Sequence, residues 1–364
     1  MDNLRDKNKA GRLAFIDWTR GLAALIMLQG HTFNSFTRTD LRSGGPYMMS
    51  QFLGGLPPAM FLFLTGITFA FLMDSQARQR ANTWARVWAA LKRSRYLFLL
   101  AFLFRIQLYV FGFPTSPAGE LLKVDILNCM GFAMLIFAPM AVFTTMERIR
   151  LCTILGLVVA GLSPFVSMID KSAVPWIVHA YLFPDYNYFG FFPWASFLAF
   201  GMVAGSVFRA VKQDEMARTM LWTMTIGIAI AAGAYCLSNL GYSVYPKSEF
   251  WLDSPACIMI KLGVVLCILA LAFLWANLGA AQKWSLFRQL GTTSLLVYWV
   301  HVELVYGRWF GIWKEALTVS QVVVYTTLLI ALMTVLSVLR TRHKSLGSLL
   351  RPTPVPRPER ASGD

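Results

Sequence analysis

Charge is scarce in this chain. Only 14% of its 364 residues are Asp, Glu, Lys or Arg, where a soluble domain carries roughly 25%. Histidine is scarcer still, with four residues, and cysteine supplies five. Cys129, Cys152, Cys236, Cys257 and Cys267 lie in or beside apolar runs and form no CxxC pair. They read as small apolar side chains, which excludes a disulfide framework and leaves no expected metal site. HExxH, Walker and GxSxG signatures are missing from positions where they would carry meaning. So is any short-period repeat, and so is any soluble catalytic domain. Chemistry, if present, belongs to the apolar part of the chain or its loops.

Long apolar runs are present in quantity. Hydrophobic residues make up 57% and mean hydropathy is +0.55. Runs near the roughly 20 residues needed to cross a bilayer recur throughout. Spans are expected at 14–35, 52–73, 95–113, 125–145, 149–169, 190–209, 219–239, 255–277, 289–307 and 319–339. The expected fold is therefore all-α, a polytopic membrane bundle of about ten helices. Residues 1–13 form its N-terminal segment, 14–345 the membrane domain and 346–364 a Pro-rich disordered tail. The first run retains Arg20 and no clear cleavage site, so it reads as a span and not a signal peptide. Of the 33 Lys and Arg, 23 fall on the side of the termini, seven on the other and three within spans. That asymmetry places both termini in the cytoplasm. It also accounts for the net charge of +15 by attraction to an anionic inner leaflet, with membrane lipid and not nucleic acid as the partner.

The first span carries ionisable groups at a helical spacing. His31 follows Arg20 by 11 residues, three turns plus about 20°, so both share a face roughly 16 Å apart. Asp17 lies one turn before Arg20 on the same stripe. A polar line of this kind faces a bundle interior or a wet cleft and not lipid. The plainer alternative is an Asp17–Arg20 pair that orients the helix, with His31 reaching interfacial water.

Other polar groups fall at matching depths. The ninth span, SLLVYWVHVELVYG, holds Tyr298 and His301 on one face, while Glu303 lies about 200° from His301 and must meet a different neighbour. Asp125 and Asn128 open the fourth span, where an acid also suits a helix N-terminus. Lys261 sits near the outer end of the eighth span and could snorkel. Arg105 is mid-span and needs a partner or an anionic ligand. A histidine with a carboxylate neighbour makes a general base near neutral pH. Lys92, Arg93 and Arg95 fit positive-inside signalling, or a polyanionic cytoplasmic ligand such as the phosphates of coenzyme A. The stretch YLFPDYNYFGFFPW, 181–194, has eight aromatics in 14 residues. It reads as an interfacial belt, or as a platform on which sugar rings stack while Asp185 or Asn187 binds hydroxyls. His179 and His343 read as solvated.

Several of these stretches resemble known families. The Arg20–His31 spacing is similar to the Arg-X10-His motif of the acyltransferase-3 family. FIDWTRGLAALIMLQGH, FLFLTGITFAF, DILNCMGFAML, FPWASFLAFGMVAG and GTTSLLVYWVH together resemble bacterial relatives of heparan-alpha-glucosaminide N-acetyltransferase. The animal enzyme's functional His lies further along than His31, and this chain has no His between 32 and 178. The resemblance implies a multi-pass protein of the bacterial inner membrane that moves an acyl group, acetyl first, from cytoplasmic acyl-CoA to an extracytoplasmic sugar. No cofactor is held permanently; acyl-CoA is the donor substrate, and a second copy of the chain is a further expected partner. His31 would be the catalytic base and Arg20 its motif partner, supported by Asp17, His301 and Glu303. Donor phosphates would lie near Arg20, Arg105, Lys92, Arg93 or Arg95. Asp125, Asn128, Lys261, Tyr298, Asp185 and Asn34 would contact the acceptor, with Tyr298 or Asn34 stabilising an oxyanion. The alternative is a transporter or flippase for an anionic or envelope-precursor solute. A broken helix at a midplane site would favour transport. An intact first helix with His31 open to an outer cavity would favour the enzyme.

Overall fold

A computed structural model describes residues 2–114, 116–240, 243–277 and 284–349, with side chains from 14 to 343. The described residues contain helices and no β-strand. In chain order they are α1 (Asp2–Phe36), α2 (Gly45–Gly54), α3 (Pro57–Arg78), α4 (Thr83–Gly112), α5 (Ile126–Phe137), α6 (Thr145–Ser167), α7 (Trp176–Leu182), α8 (Phe191–Ala210), α9 (Met216–Ser238), α10 (Pro255–Asn277), α11 (Leu286–Thr292), α12 (Ser294–Tyr306) and α13 (Val319–Leu349). The molecule is a polytopic helical membrane bundle. Eight helical segments among the described residues are long and apolar enough to cross a membrane.

Two of the ten expected spans stand outside those eight for physical reasons. Helix α1 has the length, but Asp17, Arg20, Gln29 and His31 interrupt its apolar character. The ninth span is broken at Thr293 into α11 and α12. The break falls in Gly-Thr-Thr-Ser, residues that favour helix less than the flanking leucines. Thr293 Oγ1 bonds Gln289 O at 3.1 Å and Ser337 Oγ at 2.5 Å, which holds the interruption against α13. The tail expected to be disordered from 346 instead continues α13 to Leu349, and its remainder, 350–364, lies outside the described residues.

Helix α1 joins two apolar clusters. Phe15, Ile16 and Ala23 pack into one with α3, α5, α8 and α10, while Ala24, Leu28, Phe33 and Phe36 pack into the other with α11, α12 and α13. Small residues permit close approach where lipid supplies no hydrophobic drive between helices. A Cβ on Gly21 would fall onto the Phe287 backbone, and one on Gly291 onto that of Asp17, so α1 and α11 touch main chain to main chain. Polar capping fixes helix ends. Asp125 Oδ1 accepts from the Leu127 and Asn128 amides at 2.9 and 3.2 Å, and Asn128 Oδ1 accepts from the Asp125 amide at 3.3 Å. A buried ion pair, Arg148 with Asp74, ties α6 to α3, and Arg148 Nε reaches Ser206 of α8 at 2.9 Å. At the face where α1 ends (the far face), the seam between the two clusters opens into a cavity.

Candidate active site

The cavity has a volume of about 700 Å³. Its wall is built from the far ends of α1 and α4, the start of α3, one face of α12, the segments 116–126 and 307–314, and the aromatic stretch near 186–189. His31 and Asn34, one turn apart, face it from α1, Arg105 from α4, Asp125 from the start of α5, and Tyr298 and Tyr306 from α12.

Behind His31 stands a second imidazole. His31 Nδ1 lies 2.9 Å from His301 Nε2, and the two rings stack with centroids 5.2 Å apart. His301 is fully buried, and its Nδ1 lies 2.8 Å from the Val297 carbonyl. A carbonyl only accepts, so His301 donates from Nδ1. With both rings neutral, its Nε2 then accepts from His31 Nδ1–H. The hydrogen-bond chain thereby assigns the lone pair of His31 to Nε2. The Tyr306 ring packs edge-on to His31 at 5.3 Å, and Tyr306 Oη accepts from Asn34 Nδ2 at 3.5 Å. Tyr47 Oη in turn donates to Asn34 Oδ1 at 3.4 Å.

Arg105 finds the acidic partners that its depth demands. Its guanidinium lies 3.3 Å from Asp125 Oδ2 and 3.6 Å from Glu120 Oε2, and Lys123 Nζ is 3.6 Å from Glu120 Oε1. Arg105 Nε and Asp125 Oδ2 are buried without a hydrogen bond. The Arg105 and Asp125 side chains line the cavity as an ion pair.

Not all the expected site residues converge. His31, Asn34, Arg105, Asp125 and Tyr298 line the cavity, and His301 backs it. Glu303 does meet a different neighbour: its Oε1 accepts from Trp309 Nε1 at 2.9 Å. Asn128 completes the α5 cap and donates to Tyr181 Oη at 3.1 Å, away from the lining. Lys261 sits over the Trp194 ring at 5.4 Å, beside a different recess. Asp185 lies beside the lining residues Tyr186 and Asn187 and pairs with Lys171 at 3.0 Å and His179 at 3.7 Å. His179 is thus not simply solvated. Asp17 and Arg20 pair with each other at 3.2 Å near the α1–α11 crossing and do not line the cavity. Lys92, Arg93 and Arg95 are exposed on the first turns of α4, and Lys92 and Arg95 edge a separate groove of about 260 Å³. The stripe from Asp17 to His31 therefore does not line one continuous passage among the described residues. Sequence reasoning missed Glu120 and Tyr306, and took Lys123, Arg308 and Lys314 only as loop charges. Their signal was present, since these three are among the seven cations of the sparsely charged side.

The family described as heparan-alpha-glucosaminide N-acetyltransferase, catalytic, matches residues 12–248. The chain belongs to that family. No curated protein matches it. Membership makes it a membrane acetyltransferase of the carbohydrate-modifying type. Within the heparan-alpha-glucosaminide N-acetyltransferase match fall His31, Asn34, Arg105 and Asp125; His301, Tyr306 and the segment 307–314 lie beyond it. The match is to this family, and the acyltransferase-3 spacing of Arg20 and His31 remains a likeness in two residues.

Proposed function

We propose that this chain transfers an acetyl group from cytoplasmic acetyl-CoA to a hydroxyl or amine of an extracytoplasmic carbohydrate, with His31 as general base. The observation that carries the reading is the His31–His301 contact at the wall of a 700 Å³ cavity, in a chain of an acetyltransferase family. His31 Nε2 takes the proton of the acceptor O–H or N–H as that atom attacks the thioester carbonyl. The tetrahedral oxyanion collapses, the C–S bond breaks, and the thiolate leaves with the proton from His31 as free CoA thiol. His301 holds the ring in the required tautomer and shares the transient positive charge. Asn34 Nδ2 and the hydroxyls of Tyr298 and Tyr306 are the donors placed to stabilise the oxyanion. Arg105 and Asp125, which line the cavity, bind the acceptor.

The side assignments rest on charge. The 23-to-7 distribution of Lys and Arg supports termini in the cytoplasm and a cavity on the other side. Arg20 and the 92–95 cluster then stand on the cytoplasmic side, where the donor first meets the protein. Transport is the weaker reading. The helix break at Thr293 lies away from the cavity lining, and α1 runs unbroken past His31.

The test is acceptor-dependent release of CoA thiol from acetyl-CoA by purified protein, with a panel of sugars and with His31→Ala beside the wild type. Release that vanishes in a folded His31→Ala variant supports acetyl transfer through His31. No release with any acceptor, and no CoA binding, sinks the reading and brings transport forward.

A further inference from the structure

Four cations and two carboxylates line the cavity: Arg105, Lys123, Arg308 and Lys314 against Glu120 and Asp125. The acids are already answered, Asp125 by Arg105 and Glu120 by Arg105 and Lys123. Arg308 and Lys314 have no carboxylate within ion-pair distance among the described residues. Arg308 Nη1 donates to the Phe113 carbonyl at 3.3 Å, and Lys314 Nζ to the Tyr306 carbonyl at 2.7 Å. Each contact uses one of several donors and neutralises no charge. Arg308 is exposed and Lys314 half-buried, so both stand at the mouth, while Arg105, 9% exposed, forms the deeper wall.

The segment that carries them is held to the base. Glu315 N donates to Ser35 O at 3.0 Å, Leu317 N to Phe36 O at 2.9 Å and Arg38 N to Leu317 O at 3.0 Å. Trp309 is tied to Glu303 at 2.9 Å, one helical turn or less from His301 in sequence. The mouth cations are therefore fixed to the end of α1, within two turns of His31. They lie outside the stretch matched by the family.

We infer that Arg308 and Lys314 form an anion site at the cavity mouth, which holds a phosphate or carboxylate group of a substrate while another part of that molecule reaches His31. The inference deepens the proposed function and rests on it for the word substrate. Two sources offer this chemistry: an acidic group on the acceptor sugar, which meets the cavity on its own side of the membrane, and the phosphates of an acyl donor drawn through the protein to the mouth. Guanidinium and ammonium groups are suited to either.

The experiment is equilibrium titration of the full-length protein in detergent with CoA, with glucosamine 6-phosphate and with glucosamine. Wild type is compared with Arg308→Ala/Lys314→Ala, with the charge-keeping Arg308→Lys/Lys314→Arg, and with Arg38→Ala, whose cation on the same face pairs with Asp40 at 2.6 Å and does not line the cavity. The double alanine variant should bind CoA or glucosamine 6-phosphate about tenfold more weakly or worse. The charge-keeping variant should retain most of the affinity, which separates lost charge from lost fold, and Arg38→Ala should match wild type. A loss for CoA alone assigns the donor's phosphates, and a loss for the sugar phosphate alone assigns an acidic acceptor. Equal binding by wild type and the double alanine variant within about twofold, or no binding of either anion by wild type, overturns the inference. Because binding is read without turnover, absent acetyl transfer sinks the proposed function separately.

Discussion

His301 Nε2 lies 2.9 Å from His31 Nδ1, and this single contact decides which nitrogen of His31 is left to take a proton. A lone histidine on α1 could bind a proton at either ring nitrogen. Backed by His301, whose own Nδ1 is committed to the Val297 carbonyl, it presents Nε2.

Replacing His31 by Ala should lower kcat about 10²–10⁴-fold, the usual share of a general base. Imidazole added at millimolar concentration should restore part of the rate, because the cavity wall that loses the ring is open. The check is CoA-thiol release with and without imidazole. A rate that survives the substitution removes His31 from the chemistry.

His301 acts through His31, so its variants should separate kcat from KM. His301→Ala should cost kcat about 10–10²-fold, with KM for acetyl-CoA within about threefold. His301→Gln, whose side-chain oxygen can still accept from His31 Nδ1–H, should recover much of the loss. Equal loss in the Ala and Gln variants would show a packing role instead.

The Arg148–Asp74 pair should respond as a buried ion pair does. Arg148→Met alone leaves Asp74, 6% exposed, without its cation and should cost about 3–5 kcal/mol. Asp74→Leu with Arg148→Met should return most of that stability. Thermal unfolding in detergent, read for both variants, checks the difference.

The segment near 185 should loosen in acid. Burial pushes the Asp185 carboxyl up, but the Asn187 amide and the Lys171 ammonium outweigh it and hold it below 3.8. Burial, helped by the Lys171 charge, holds His179 below 6.5 despite Asp185 beside it. Both folded values are depressed, so the opened segment binds more protons and anchoring strengthens with pH. The clamp is complete above pH 6.5, weakens as His179 is forced to charge below that, and is lost once Asp185 protonates below 3.8. Hydrogen exchange of residues 181–190, corrected for intrinsic rates, should show less protection at about pH 5 than at about pH 7.5. Equal protection at both would sink this account.

Particular residues show how far the sequence could be read. Helical spacing alone put Tyr298 with His301 and turned Glu303 elsewhere, because angular position along one helix is a local property. It also put Asp17, Arg20 and His31 on one stripe, and there it misled. A stripe can meet different neighbours along its length, and here the first two residues pair with each other beside α11 while the cavity takes the third. Arg148 was counted as an orientation signal, yet it is 1% exposed and bound to an acid 74 residues away. Depth along a span separated Lys261 from Arg105 but named no partner for either, and only tertiary packing sent one to Trp194 and the other to Asp125.

The sequence separation of 270 between His31 and His301 also sets a clock. A ribosome adding about 5–20 residues per second needs roughly 15–50 s to cover it. For that interval α1 waits with its histidine unaccompanied and its Gly21 face without Phe287. The helix at the centre of the finished bundle is thus the one that spends longest without its final neighbours.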